Sequence, residues 1–264
     1  MKYKMIAVDM DGTLVNDMSI ITPRTKAAIA GAVEAGALFV TATGRSKNGI
    51  EIVNEIFDKD MPFVVFNGAT AVMGKSGKVL FEKFLEFNLA KDVFELGISR
   101  GVPMVLWTGK HLWASCESKE TRDYQKFYNN IEMKIISDLV ELEAEGIFKV
   151  LWFSASEKTK QIQSEMKEFF SRRLFCYMSQ PNFLEFVSPD AGKGVAIAEI
   201  GRLYGIDRSE MIAVGDSYND ISMLEYVGLA IAMGNAHDDV KAVCGHVTLS
   251  NNDDGAAAVI EKYF

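Results

Sequence analysis

The sequence predicts an α/β protein, a doubly wound parallel sheet with an α+β segment inserted into it. Two observations carry this. Over residues 1–81, and again over 187–264, short apolar runs alternate with segments of helical period. Strands apolar along their whole length belong to parallel sheets covered on both faces. Over 82–186 that rhythm breaks into a mixture of short β-like pieces and helices, as an inserted domain would.

The elements follow in order. Lys4 to Asp9 is a short apolar run and reads as a buried strand. The stretch TPRTKAAIAGAVEAG reads as a helix, with Thr22 as N-cap, Pro23 at the first helical position and Gly36 as the stop. Ala28, Ile29, Ala32 and Val33 give it one apolar face. Ala37 to Thr41 is a second strand, Ser46 to Phe57 a second helix, and Pro62 to Phe66 a third strand ending at Asn67-Gly68. Thr70 to Phe81 forms a hairpin around GKSGK. In the inserted segment MVLW, HLWASC, FKVLWF, LFCYM and FLEFV are β-like, with a helix over Glu157 to Ser171. After SPDAGKG come a helix from Gly194 to Tyr204, the strand MIAVG, a helix from Tyr218, the strand LAIAM and a last helix from Asp253.

Bulk properties exclude several classes. The net charge is −8, and the inserted segment and the flanks carry −2 and −6 of it. Neither part is basic, so no nucleic-acid groove is expected. No run of about 18 apolar residues exists, so no membrane span is expected. The first apolar stretch is short and runs straight into acid, unlike a secretory signal. Cys116, Cys176 and Cys244 are odd in number and unclustered, which suits reduced packing residues in a cytoplasmic protein. His111, His237 and His246 have no ligand spacing, and Trp107, Trp113 and Trp152 read as core.

The chemistry gathers at strand ends. Asp9 and Asp11 close the first strand, at the edge where open α/β sheets bind ligands, and Gly12 permits the turn that presents both. The second strand ends in TATGR, where Thr43 offers a hydroxyl and Gly44 an unobstructed N–H. MIAVG ends in GDSYND, which adds Asp216, Asn219 and Asp220. Lys193 opens a helix, a place mildly unfavourable for a cation unless an anion is near. Three acids suit a hard cation, and lysine, hydroxyl and N–H suit a phosphate. So few carboxylates favour magnesium over calcium.

These residues resemble the haloacid dehalogenase superfamily. DMDGTL, TGR, the Lys193-Gly194 pair and GDSYND are similar to its four motifs, in order. FNGA, GLAIAMGNA, Val240-Lys241 and SNNDDGAA resemble its Cof-type phosphatases. Gly192 departs from the small polar residue that often precedes the lysine. The resemblance covers 1–81 and 187–264, and implies a Rossmann-like catalytic core with a type IIB cap over 82–186.

The resemblance implies roles. Asp9 is the nucleophile that forms an aspartyl-phosphate, and Asp11 is general acid on the leaving oxygen, then base on water. Magnesium is held by Asp9, the backbone carbonyl of Asp11 and Asp216. Lys193, Thr43, the Gly44 and Met10 N–H groups and Asn219 bind phosphoryl oxygens. Asp220 orients Lys193 rather than binding metal. Arg45 and Asn67 contact the leaving group. An acid at position 11 favours phosphate-ester chemistry.

The function expected is thus a magnesium-dependent phosphatase of small phosphorylated metabolites, sugar phosphates first. Its cap would exclude macromolecular substrates, and it would act as a monomer or weak homo-oligomer. The alternatives are a phosphomannomutase-like phosphotransferase, which would retain phosphate on product, a receiver-like signalling domain and a metabolite-binding protein. A receiver carries its phospho-acceptor on the third strand, whereas Asp9 ends the first.

Overall fold

The structure, a computed structural model, describes residues 2–128, 131–136 and 138–264, without the side chain of residue 48. The chain divides into two compact units, Met1–Glu82 with Ala191–Phe264, and Lys83–Asp190. The inserted unit runs to Asp190 rather than stopping at 186, because its last strand continues to Val187. Among the described residues no helix is long and apolar enough to cross a membrane.

The first unit opens with β1 (Met5–Asp9), α1 (Pro23–Glu34) and β2 (Leu38–Ala42). Thr22 caps α1 by accepting from the Thr25 N–H, and Pro23 takes the first turn, where its missing N–H costs nothing. The helix expected over 46–57 is broken. A 3₁₀ turn at Lys47–Gly49 precedes α2, a single turn over Glu51–Asn54. The run Ser46-Lys47-Asn48-Gly49 is poor in helix formers, and nothing in it offsets the glycine. β3 (Pro62–Val65), β4 (Thr70–Met73) and β5 (Val79–Glu82) follow, with β3–β4 and β4–β5 antiparallel.

The inserted unit holds α3 (Phe87–Ser99), β6 (Met104–Thr108), β7 (Leu112–Ala114), α4 (Lys119–Phe127), β8 (Met133–Ile135), β9 (Ile147–Phe153), α5 (Ser156–Phe170), β10 (Phe175–Gln180) and β11 (Phe183–Val187). They form a sheet of order β10-β11-β9-β6-β7-β8. Alternate residues Met104, Leu106, Val150, Trp152, Leu184 and Phe186 join residues of α3 and α5 in one core. The opposite face carries a buried ion pair, Lys149 to both oxygens of Glu185 at 3.0 Å, with Tyr177 and Ser179 donating to the same carboxylate. Trp107, Trp113 and Trp152 are buried, as core residues should be.

The chain then re-enters the first unit through α6 (Lys193–Tyr204), β12 (Met211–Gly215), α7 (Ile221–Tyr226), β13 (Leu229–Ala232), α8 (Asp238–Ala242), β14 (His246–Val247) and α9 (Gly255–Tyr263). The sheet order is β14-β13-β12-β1-β2-β3-β4-β5, parallel from β14 to β3. From β1 the chain winds one way through β2 and β3, then returns to the other side with β12. That reversal places the topological switch point between β1 and β12, where open α/β sheets form a crevice at the carboxyl ends. Val8 lies opposite Val214 and Asp9 opposite Ala42, so β1, β12 and β2 end at one level.

Candidate active site

β1 delivers Asp9 to the switch point, with its side chain buried. The Lys193 ammonium reaches Asp9 Oδ1 at 2.5 Å and Asp220 Oδ1 at 2.6 Å. Lys193 and Asp220 are both fully buried. Burial opposes the charge on Lys193, but Asp220 and Asp9 outweigh it and lift its pKa above that of free lysine. The other oxygen of Asp220 accepts the N–H groups of Asp216 and Ser217, each at 3.0 Å. Asp220 therefore ties the loop after β12 to the lysine at the start of α6.

Asp216 stands at the end of β12, and Thr13 donates to its Oδ1 at 2.9 Å. One carboxylate oxygen each from Asp9, Asp216 and Asp220 lie within 4.8 Å of one another. Burial, then Asp220, push the Asp9 carboxyl well above the ordinary carboxylate range. The same two causes, in the same order, push Asp216 up to about 6. Three carboxylates face one ammonium, a surplus of negative charge that a divalent cation would relieve. Both Asp220 oxygens already have partners, which leaves Asp9 and Asp216 as the carboxylates with room for a metal.

Gly12 has φ +82°, and a Cβ there would lie 2.6 Å from Asp216 Oδ2. The glycine thus makes both the turn and the approach of Asp216 possible. Side chains from distant sequence fix this turn. Asn235 Nδ2 donates to the Gly12 carbonyl at 2.9 Å, and Asn251 Nδ2 to the Val15 carbonyl at 3.2 Å. Asn235 in turn accepts the Asn251 N–H, while Asp254 accepts the Thr22 hydroxyl. MGNA and SNNDDGAA therefore brace the loop that carries the two acids. Thr13 and Asn235 were not foreseeable as site residues, since their partners are about 200 residues away in sequence.

β2 ends in Thr43, which is fully buried, its hydroxyl accepting the Arg45 N–H at 3.0 Å. Thr43 and Arg45 are laced to the neighbouring loop, through Asn67 N–H to the Thr43 carbonyl and Phe66 N–H to the Arg45 carbonyl. Phe66 and Asn67 both have positive φ, and this left-handed turn carries the Asn67 side chain to Asn219 Nδ2 at 2.9 Å. A Cβ on Gly44 would stand 2.9 Å from Asn67 Oδ1, so the glycine is needed for that approach. Met10 is fully buried between the two acids. Arg45 lies against Asp11, both of whose oxygens it holds. Asp9, Thr43, Lys193, Asp216, Asn219 and Asp220 are thus interconnected through this network or through the sheet register. His111 Nδ1 lies 3.1 Å from a Glu145 carboxylate oxygen, at the β6–β7 turn.

The family model of the haloacid dehalogenase-like hydrolases matches residues 6–260. A provisionally named phosphatase of Haemophilus influenzae is 30% identical over 265 residues, covering 100% of this chain and 99% of the relative. A 5-amino-6-(5-phospho-D-ribitylamino)uracil phosphatase of Bacillus subtilis is 29% identical over 283 residues, covering 98% and 97%. Among solved structures, a haloacid dehalogenase-like hydrolase from Bacteroides thetaiotaomicron superposes with a TM-score of 0.85 at 27% identity, covering 99% of this chain and 100% of the other. A sugar phosphatase of subclass IIB of that superfamily superposes with a TM-score of 0.81 at 25% identity, covering 98% of each chain.

Proposed function

The chain belongs to the haloacid dehalogenase-like hydrolases, and from that premise we propose that it is a magnesium-dependent phosphatase of small phosphorylated metabolites. The observation that carries this reading is the buried line Asp9–Lys193–Asp220 with Asp216 beside it. A solvated turn of acids has no need of a fully buried ammonium at its centre.

Asp9 is the nucleophile. Its Oδ attacks phosphorus, the bond to the leaving oxygen breaks, and an aspartyl-phosphate forms. Asp11 gives a proton to the leaving oxygen, then takes one from the water whose oxygen attacks the phosphoryl-enzyme. Lys193 balances the charge on Asp9 and meets the oxygens of the transferring phosphoryl group, with Thr43, the Gly44 and Met10 N–H groups and Asn219 around it. Asp220 keeps Lys193 in place. Asp9, the Asp11 carbonyl and Asp216 would hold magnesium, which supplies the charge neutralisation that an anionic nucleophile needs toward an anionic ester.

Phosphorylated sugars and polyols lead as substrates. The Bacillus subtilis relative is named for a phosphoribityl ester and the subclass IIB neighbour for sugar phosphates. The test is phosphate release from a panel of sugar, polyol and nucleotide monoesters, with magnesium and with a chelator. Wild type should release phosphate only with the metal, and Asp9→Asn should fall at least about 10³-fold. Undiminished turnover by Asp9→Asn would remove the nucleophile assignment.

A further inference from the structure

The Asp11 side chain is 56% exposed, yet neither of its oxygens is left to solvent alone. Arg45 Nε donates to Oδ2 at 3.0 Å and Nη2 to Oδ1 at 2.6 Å. Such a fork-to-fork pair fixes the plane of a carboxylate as well as its place. The third nitrogen, Nη1, turns back to the Gly49 carbonyl at 3.4 Å. That carbonyl belongs to the 3₁₀ turn Lys47–Gly49, where the expected helix over 46–57 breaks. Gly49 is also required sterically, since a Cβ there would stand 2.8 Å from Arg45 Cβ and 3.0 Å from its Cδ. The Arg45 backbone is anchored separately, by the Thr43 hydroxyl on one side and the Phe66 N–H on the other. Backbone, stem and head of one arginine are therefore all constrained, and its head points at the proton carrier.

We propose that Arg45 is the positioning residue for Asp11, with the turn at Gly49 as the cradle that aims it. This rests on the reading of Asp11 as acid and base, and it replaces the leaving-group contact expected for Arg45. A half-exposed aspartate explores several rotamers, and proton transfer needs one of them within hydrogen-bond reach of the reacting oxygen. Arg45 selects that rotamer for both halves of the reaction. In the first, protonated Asp11 transfers its proton to the leaving oxygen as the P–O bond breaks. In the second, the Asp11 carboxylate takes a proton from water as the water oxygen bonds to phosphorus and Asp9 leaves as a carboxylate. Each transfer uses one Asp11 oxygen, so the guanidinium keeps its hold on the other.

The test is a double-mutant cycle on the best sugar phosphate of the panel and on p-nitrophenyl phosphate, whose leaving group needs little acid. Arg45→Lys keeps the charge but not the fork, and Gly49→Ala leaves both partners chemically intact while its Cβ pushes on the Arg45 stem. Both should lower kcat on the sugar phosphate by about 10–100-fold, with KM within about threefold of wild type. Their losses on the aryl ester should be smaller. Arg45→Lys added to Asp11→Asn should cost nothing further. Guanidinium ion should rescue Arg45→Ala and leave Asp11→Asn unchanged. A full additional loss in the double variant, or a loss confined to KM, would overturn the positioning role and leave the Asp11 reading intact. If Asp11→Asn alone turns over the sugar phosphate normally, the proton-carrier reading fails first, and this one with it. Melting curves for each variant separate these outcomes from misfolding.

Discussion

Lys193 shows how much a single residue decides here. Its ammonium is fully buried between two carboxylates, a position tolerable only while both charges stay paired. Lys193→Met should abolish phosphatase activity and destabilise the protein by about 3–5 kcal/mol, because it leaves Asp9 and Asp220 buried without a counter-charge. Adding Asp220→Asn should recover part of the stability and none of the activity. Denaturant melts and phosphate release on the same samples check both halves. Lys193, Asp9 and Asp216 were legible from sequence because each sits at a strand end or helix start that the apolar pattern locates. The partner of Arg45 was not legible. Nothing in the local pattern of TGR says which way a long, flexible side chain turns.

At the scale of elements, the loops after β1 and β3 hold the site by close backbone approach. Gly68 has φ +93°, and a Cβ there would overlap the Gly192 carbonyl, the residue just before Lys193. Gly36 has nearly the same φ, +94°, with open space where its Cβ would be. The two glycines separate conformational cost from steric cost. Gly36→Ala should cost about 1–2 kcal/mol, the price of a left-handed alanine. Gly68→Ala should cost more than about 3 kcal/mol and lower kcat at least about 10-fold, since the start of α6 must shift. Thermal melts and kinetics of the pair check this. The elements themselves were mostly readable: the α1 cap, the β4–β5 hairpin and the strand MIAVG lie where the pattern puts them. The helix over 46–57 was not, because its apolar spacing suggests continuity while Gly49 is reserved for Arg45. A local rule is broken where a site residue needs room.

For the whole molecule, the buried negative charge links stability to pH. Asp216 is pushed up to about 6 in the folded protein, against 3.8 for the free group. The folded chain thus holds a proton that the unfolded chain gives up, and this contribution is complete below about 4. It is lost as pH rises through about 6. With a chelator present, Tm should fall by about 2–6 °C from pH 5 to pH 7.5, and Asp216→Asn should flatten that fall. Magnesium should raise Tm more at pH 7.5 than at pH 5, because it must displace protons at the lower pH. Differential scanning calorimetry at the two pH values, with and without the metal, reads all three.

Linear order alone was enough for the α/β core, the inserted segment and the placing of acids at strand ends, because periodicity and strand ends are local and a parallel sheet brings its carboxyl ends to one edge. The tertiary structure was needed for the bracing of the β1 loop by Asn235 and Asn251, the Thr13–Asp216 bond and the Arg45–Asp11 pair. Each joins segments that are distant in sequence, through side-chain directions a few ångströms apart. Such distances follow from sheet order and register, which no local pattern of residues contains.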